Sequence, residues 1–179
     1  MRLSAKKLTK MAALTATALI IFIIEAQIPL PIPIPGVKLG LSNAVTLFAL
    51  FCDFGKTRDQ DRLTTANVFL ILTCRIILSA AFTGRLVAFF YSLFGGLLSF
   101  AAMAVMRRFV TSKQIWVCSA VGAIFHNVGQ IFAAILITGT LAIAAYLPIL
   151  IIAGVITGII TGFIAQFAIE RLARRSEKG

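Results

Sequence analysis

Long apolar runs separated by short polar segments dominate the chain. Several of these runs reach the roughly 18 to 20 residues that a helix needs to cross the hydrocarbon core of a bilayer. The pattern predicts helices over about 8–28, 41–54, 62–81, 85–106, 114–137 and 141–169. The second helix is short, and Pro148 is expected to kink the sixth near its start. We therefore predict an all-α membrane protein, a six-transmembrane-helix bundle that forms a single integral membrane domain over residues 1–179.

A proline-rich segment joins the first two predicted helices. Within it, prolines alternate with aliphatic residues at Pro29, Pro31, Pro33 and Pro35. Proline has no amide hydrogen and fixes its φ angle, so no helix crosses this segment. We expect a stiff apolar loop, which is either a plain connector or the wall of a pocket. The polar residues that would face such a pocket are Glu25, Gln27, Lys38 and Asn43.

The basic residues are distributed very unevenly along the chain. There are 17 Lys and Arg against 6 Asp and Glu, which gives a net charge of +11. The bases cluster at the ends of the predicted helices, as membrane topology requires, so we expect no nucleic-acid partner. If both termini are cytoplasmic, the outer side holds only Lys38 and Arg85, and almost all other bases lie inside. This arrangement predicts that both termini are cytoplasmic and that the proline-rich loop is outside.

Several ionic and amide side chains fall within predicted spans. A charged group in hydrocarbon costs at least a few kcal/mol, so it usually faces the bundle interior and has a partner or a function. At 1.5 Å of rise per residue, these groups all lie at or beyond the membrane midplane. They are Glu25, Gln27, Arg75, His126, Asn127 and Gln130. One interpretation is a Glu25–Arg75 ion pair with a hydrogen-bonded His126 that fixes helix register. The other is a solute site in which Arg75 and Lys38 contact an anion.

Several kinds of chemistry are missing from the sequence. It has no phosphate-binding P-loop, and one histidine cannot supply two axial haem ligands or a histidine-rich metal site. Cys52, Cys74 and Cys118 are isolated within apolar runs and do not form a metal or disulfide motif. No helical pair of aspartates suits diphosphate chemistry. We therefore expect no enzymatic activity, no cofactor and no metal.

Small residues recur at the spacing of helix-packing motifs. Gly154, Gly158 and Gly162 would allow close packing of the sixth helix inside the bundle. Ala12 and Ala16 form a similar pair near the cytoplasmic end of the first helix. From spacing alone, this alanine pair fits internal packing and a docking surface for a partner helix equally well.

Four motifs carry a resemblance to a known family. They are the run from Lys7 that leads to Glu25, Pro-Gly-Val-Lys-Leu-Gly-Leu-Ser-Asn ending at Asn43, Phe-Gly-Gly-Leu-Leu-Ser over 94–99, and His-Asn-Val-Gly-Gln over 126–130. Together with Arg75 they resemble the Gx transporter family, which is also labelled heptaprenyl diphosphate synthase component I. That family is similar to the S-components of energy-coupling factor (ECF) transporters, the membrane subunits that capture micronutrients. S-components dock on a transmembrane coupling subunit and a pair of cytoplasmic ATPases, through an Ala-x-x-x-Ala motif that Ala12 and Ala16 would match.

The sequence thus predicts the substrate-binding subunit of an uptake transporter in the bacterial cytoplasmic membrane, surrounded by membrane lipid. Its expected substrate is a small anionic or zwitterionic metabolite. Arg75 and Lys38 would hold the anion and Glu25 would hold a donor group of the solute. Hydrogen bonds would come from His126, Asn127 and Gln130. The alternative is a membrane component of a quinone- or flavin-linked redox system or a prenyl-lipid system, with a groove open to lipid.

Overall fold

A computed structural model describes residues 4–28, 40–53 and 62–176. These residues form α1 (Ala5–Glu25), α2 (Asn43–Phe51), α3 (Thr65–Thr83), α4 (Leu86–Met106), α5 (Ile115–Thr138) and α6 (Leu147–Ser176). A 3-10 helix over Leu141–Tyr146 precedes α6. The described residues contain no strand, which confirms the all-α prediction for this part of the chain.

In the described ranges, five helical stretches are long and apolar enough to cross a membrane: α1, α3, α4, α5 and the stretch Leu141–Arg174. The second predicted helix differs from the expectation of residues 41–54. Its helical part, α2, has nine residues, which corresponds to about 14 Å of rise, or half of a hydrocarbon core. The described helices therefore supply five candidate spans and one half-length helix.

Local signals explain where the helices begin and end. The Ser4 side chain caps α1 by accepting a hydrogen bond from the Lys7 backbone. Thr64 and Asn67 form a reciprocal capping box at the start of α3. At the other end, α3 stops at Gly84, whose φ of 63° favours glycine.

The proline in the last helix has a different role from the one predicted. The 3-10 segment ends at Tyr146 and α6 begins at Leu147, so Pro148 lies in the first helical turn. Backbone N–H groups have no intrahelical partner in that turn, and proline is therefore tolerated there. The structure thus replaces the predicted continuous helix from residue 141 with a 3-10 segment and an α-helix, and Pro148 lies where the α-helix starts.

Glycines allow α5 to pack closely against its two neighbours. A Cβ added at Gly129 of α5 would lie 2.5 Å from the Phe94 carbonyl oxygen of α4. On the other side, added Cβ atoms at Gly154, Gly158 and Gly162 of α6 would all clash with α5. The small-residue face of α6 is thus used for packing within the chain, as predicted.

A polar contact just after the C-terminal end of α2 connects three elements of the bundle. Asp53 accepts hydrogen bonds from Lys10 Nζ at 2.7 and 2.9 Å. It also accepts one from the Leu63 backbone N–H at 3.0 Å. This contact, which we call the Asp53 tie, joins α1, the end of α2 and the segment leading into α3. Since Lys10 belongs to the basic N-terminal region, the tie marks the predicted cytoplasmic end of the bundle.

Candidate functional site

The turn that leads into α2, residues 40–43, is the meeting point of three other helices. Gly40 adopts a φ of 80°, a conformation that favours glycine, and its backbone N–H donates to Glu25 Oε1 at the end of α1. Two residues later, the Ser42 hydroxyl accepts a hydrogen bond from Arg75 Nη1 of α3. Glu25, Ser42 and Arg75 are all buried. The 40–43 turn therefore holds both ionic side chains in place.

The His126 ring of α5 is enclosed on every side that the structure describes. Its Nδ1 lies 2.9 Å from Asn43 Nδ2, and its Nε2 lies 2.9 Å from Gln130 Nε2. A Cβ at Gly40 or at Gly95 would come within 2.8 Å of the ring. A neutral imidazole has one donor and one acceptor nitrogen, so one of the two amides donates to the ring and the other turns its oxygen to accept.

Arg75 is the largest buried polar side chain in this cluster, with 2% of its surface exposed. Its guanidinium carbon lies 5.9 Å from the centre of the Phe22 ring of α1. Electrostatic attraction to Glu25 offsets part of the cost of burying the charge. Toward α4, Nη2 lies 3.5 Å from the position that a Cβ at Gly96 would take. Within the described parts of the chain, Nε and Nη2 have no hydrogen-bond partner.

The cluster lies at a similar height on each helix when measured from the Asp53 tie. Glu25 is fifteen residues beyond Lys10, which corresponds to about 22 Å of rise. Arg75 is twelve residues beyond Leu63, or about 18 Å. Glu25 and Arg75 are therefore both displaced from the tie toward the opposite end of the bundle.

A small cavity adjoins the 40–43 turn between α2, α4, α5 and α6. Its volume is about 10 Å³, enough for about one water molecule. Gly40, Asn43 and Ser99 contribute to its lining. The Ser99 hydroxyl is fully buried and has no hydrogen-bond partner among the described residues. The polar cluster is thus closely packed in this structure, and this neighbouring cavity is too small for an organic solute.

The structure distributes the predicted site residues among four situations. Five of them meet in the cluster: Glu25, Asn43, Arg75, His126 and Gln130. Asn127 is equally buried, but it donates to the Leu150 carbonyl of α6. Gln27 is exposed and lies outside the cluster. Lys38 lies outside the described residues.

Three residues of the cluster were not predicted as site residues, although the motifs of the sequence analysis contain them. Gly40 and Ser42 supply the groups that contact Glu25 and Arg75, and Gly95 makes room for the His126 ring. The available signal was local: Ser42 directly precedes the polar Asn43, and Gly95 belongs to a Gly-Gly pair inside an apolar helix. Paired glycines within a helix often mark a close approach by another group.

The alanine pair of α1 lies on the outside of the bundle. Ala12 and Ala16 are both exposed, as are Ala13 and Thr17 beside them. In this chain the pair is therefore not used for internal packing.

The described residues contain no group of three or more His, Cys, Asp or Glu side chains that could together bind a metal ion.

The comparison with protein families identifies the chain at this point. The model of the heptaprenyl diphosphate synthase component I family matches residues 14–168, which include all the described residues of the cluster. The chain belongs to this family. The resemblance inferred from the motifs is thereby confirmed. A search of curated proteins finds no match to this member of the heptaprenyl diphosphate synthase component I family, and a search of solved structures finds none either.

Proposed function

We propose that the chain is the substrate-binding membrane subunit, similar to an S-component, of an ECF-type uptake system for a small anionic or zwitterionic metabolite. The observation that carries this proposal is the convergence of buried ionic and amide groups from α1, α3 and α5 on the 40–43 turn. Such groups are costly in a bilayer and are usually retained for binding or transport. The cluster provides a cation, a carboxylate and two amides within one region.

The topology that fits this function has six spans with both termini in the cytoplasm. The distribution of Lys and Arg supports it, because Lys10 and Arg107 both lie at the same end of the bundle as the Asp53 tie. In this topology α2 and its flanking residues form the second span, and the cluster lies in the outer half of the membrane. The protein would then reside in the bacterial cytoplasmic membrane and capture its solute from outside.

Solute entry requires the packed cluster to open. In this closed arrangement, Arg75 Nη1 donates a hydrogen bond to the Ser42 hydroxyl, and the Gly40 backbone N–H donates one to Glu25 Oε1. Both contacts come from the 40–43 turn, which directly follows the proline-rich loop. Movement of this turn away from α3 would therefore expose both ionic groups together. The predicted role of the loop as a pocket wall, including Lys38, concerns residues outside the described ranges.

Solute binding is tested with Arg75→Ala in the purified full-length protein. The protein is extracted gently, and small molecules released from it are identified by mass spectrometry. We expect a solute with the wild type and at least a tenfold loss with Arg75→Ala. Arg85→Ala is the matched control, because Arg85 is an exposed arginine at the start of α4. Equal solute recovery from wild type and Arg75→Ala would refute the site.

The coupling partner is expected to dock on the exposed alanine face of α1. Ala12→Trp and Ala16→Trp would place a large side chain on this face without entering the bundle, since both alanines are exposed. We expect these variants to lose co-purification of the coupling subunit and ATPase pair while retaining solute binding. Ile152→Trp is the control, because Ile152 is a 63% exposed residue on α6. Retained co-purification in both alanine variants would contradict docking through α1. A bound isoprenoid or quinone, without ATPases, would instead support the alternative membrane redox or prenyl-lipid role.

A further inference from the structure

Arg75 presents one complete edge of its guanidinium group without a partner. Nη1 donates to Ser42, whereas Nε and Nη2 have no hydrogen-bond partner in the described ranges, although the side chain is only 2% exposed. A buried donor without an acceptor costs about 1–3 kcal/mol, and more when it is charged. Two such donors on one side chain are therefore a substantial cost for the closed structure.

The two unpartnered groups have a specific geometry. In a planar guanidinium, the Nε–H and Nη2–H bonds lie on the same edge and point in the same direction. Their separation matches the two oxygens of a carboxylate, which binds this edge through two parallel hydrogen bonds. Ser42 uses the remaining nitrogen, so it orients the guanidinium without blocking the edge.

The described neighbours of this edge toward α4 are small or apolar and offer it no acceptor. On the α4 side, Nη2 lies 3.5 Å from the position that a Cβ at Gly96 would take. Because Gly96 has no side chain, that position is empty. Leu72 and Ile76, which flank Arg75 on α3, also approach Gly96 with apolar methyl groups. Glu25 attracts Arg75 electrostatically, and its Oε1 accepts from the Gly40 backbone.

We propose that the Nε–Nη2 edge of Arg75 binds a carboxylate group of the solute in a bidentate manner. This inference rests on the proposed function and specifies its substrate class as carboxylic acids. Binding supplies the two acceptors that the closed structure lacks. It also distinguishes arginine from lysine, because a lysine ammonium carries the same charge but cannot form the side-on pair.

The test uses acetate as the probe, with acetamide as its uncharged isostere and inorganic phosphate as the competing oxyanion. Thermal unfolding of the purified wild-type protein is measured with each compound at constant ionic strength and pH 7. We expect acetate to raise the unfolding temperature in a saturable manner and acetamide to have no effect. A response to acetamide equal to that of acetate, or a stronger response to phosphate, would overturn the carboxylate assignment.

Variants separate geometry from charge. In Arg75→Lys we expect the response to acetate to disappear, whereas Arg85→Lys, which makes the same change at an exposed arginine at the start of α4, retains it. An acetate response that persists in Arg75→Lys shows that charge alone suffices and overturns the bidentate arrangement. If Arg75→Lys does not fold, Gly96→Ala tests the bidentate arrangement instead, because its methyl group would occupy the space beside Nη2. We expect at least a fivefold weaker acetate affinity in Gly96→Ala, and an unchanged affinity would overturn the proposal.

The solute recovered from the wild-type protein distinguishes this inference from the proposed function. A solute that contains a carboxylate supports both. A solute without one overturns the carboxylate assignment and leaves the uptake function standing. If no solute is recovered but acetate binding depends on Arg75 as described, the edge is confirmed and the uptake function fails.

Discussion

Replacing Gly40 with alanine should destabilise the protein more than replacing any other glycine of positive φ in the described ranges. Gly40, Gly84 and Gly139 have φ angles of 80°, 63° and 68°. At Gly84 and Gly139, an added Cβ would meet nothing within 4 Å, so only backbone strain changes. At Gly40 the added Cβ would also lie 2.8 Å from Cδ2 of the His126 ring. The two control glycines therefore isolate the steric contribution of the ring.

The magnitude follows from the two contributions. A non-glycine residue in the left-handed region costs about 1–2 kcal/mol, which is the expected effect of Gly84→Ala and Gly139→Ala. Overpacking a filled site costs about 1–3 kcal/mol more. The His126 ring cannot easily retreat, since Gly95 of α4 contacts its other side. We therefore expect Gly40→Ala to lower the free energy of unfolding by about 2–5 kcal/mol in total.

Unfolding is measured by titrating the purified protein with SDS in mixed micelles. The single tryptophan, Trp116, provides the fluorescence signal, because it stacks on Phe163 across the α5–α6 interface with ring centres 5.6 Å apart. A double-mutant cycle with His126→Ala should recover the steric part of the loss and leave the strain. Equal destabilisation by Gly40→Ala and the two controls, or no coupling to His126, would refute the contact between turn and ring.

Three further predictions concern other parts of the bundle. Gly129→Ala should lower the free energy of unfolding by about 1–3 kcal/mol or more, because its Cβ meets the backbone of α4. Gly122→Ala should lower it by less, because its Cβ meets the flexible Met103 side chain. SDS unfolding compares the two variants, and equal losses would contradict the close backbone approach. Asp53→Asn should lower the free energy of unfolding by about 1–3 kcal/mol, since it weakens the hydrogen bonds from Lys10 and from the Leu63 backbone. An unchanged SDS unfolding curve would show that the Asp53 tie does not contribute to stability. Cys52 is a buried free cysteine, so it should react slowly with iodoacetamide in the folded protein and much faster after unfolding in SDS. Peptide mass spectrometry measures the rate, and rapid labelling of the folded protein would contradict its burial.

The sequence was sufficient to predict that the polar groups in the middle of the apolar helices are buried. Arg75 and His126 lie in the middle of apolar helices, where a charged or imidazole group has no reason to face lipid. Counting rise along each helix also placed them at similar heights. These arguments depend only on the cost of polar groups in hydrocarbon and on the regular geometry of a helix, so they succeed without knowledge of packing.

The partners of each polar group were not predictable in the same way. Asn127 adjoins His126 in sequence, yet it turns to the Leu150 carbonyl of α6 because adjacent residues on a helix face different directions. Gln27 follows the end of α1 and is exposed, since helical periodicity no longer fixes its direction there. The choice of Ser42 as the partner of Arg75 depends on how the 40–43 turn packs against α3, which no local pattern specifies.

The half-length of α2 has a mechanical consequence. Its start is held through the 40–43 turn, and its end is held through Asp53 to Lys10. A helix of nine residues has little length over which to bend, so an axial movement of its start would also displace its end. An axial shift of more than about 0.5 Å would stretch the contacts at the far end beyond hydrogen-bonding range. One short helix thus connects the buried cluster to Lys10, which is two residues from Ala12 on the exposed face of α1.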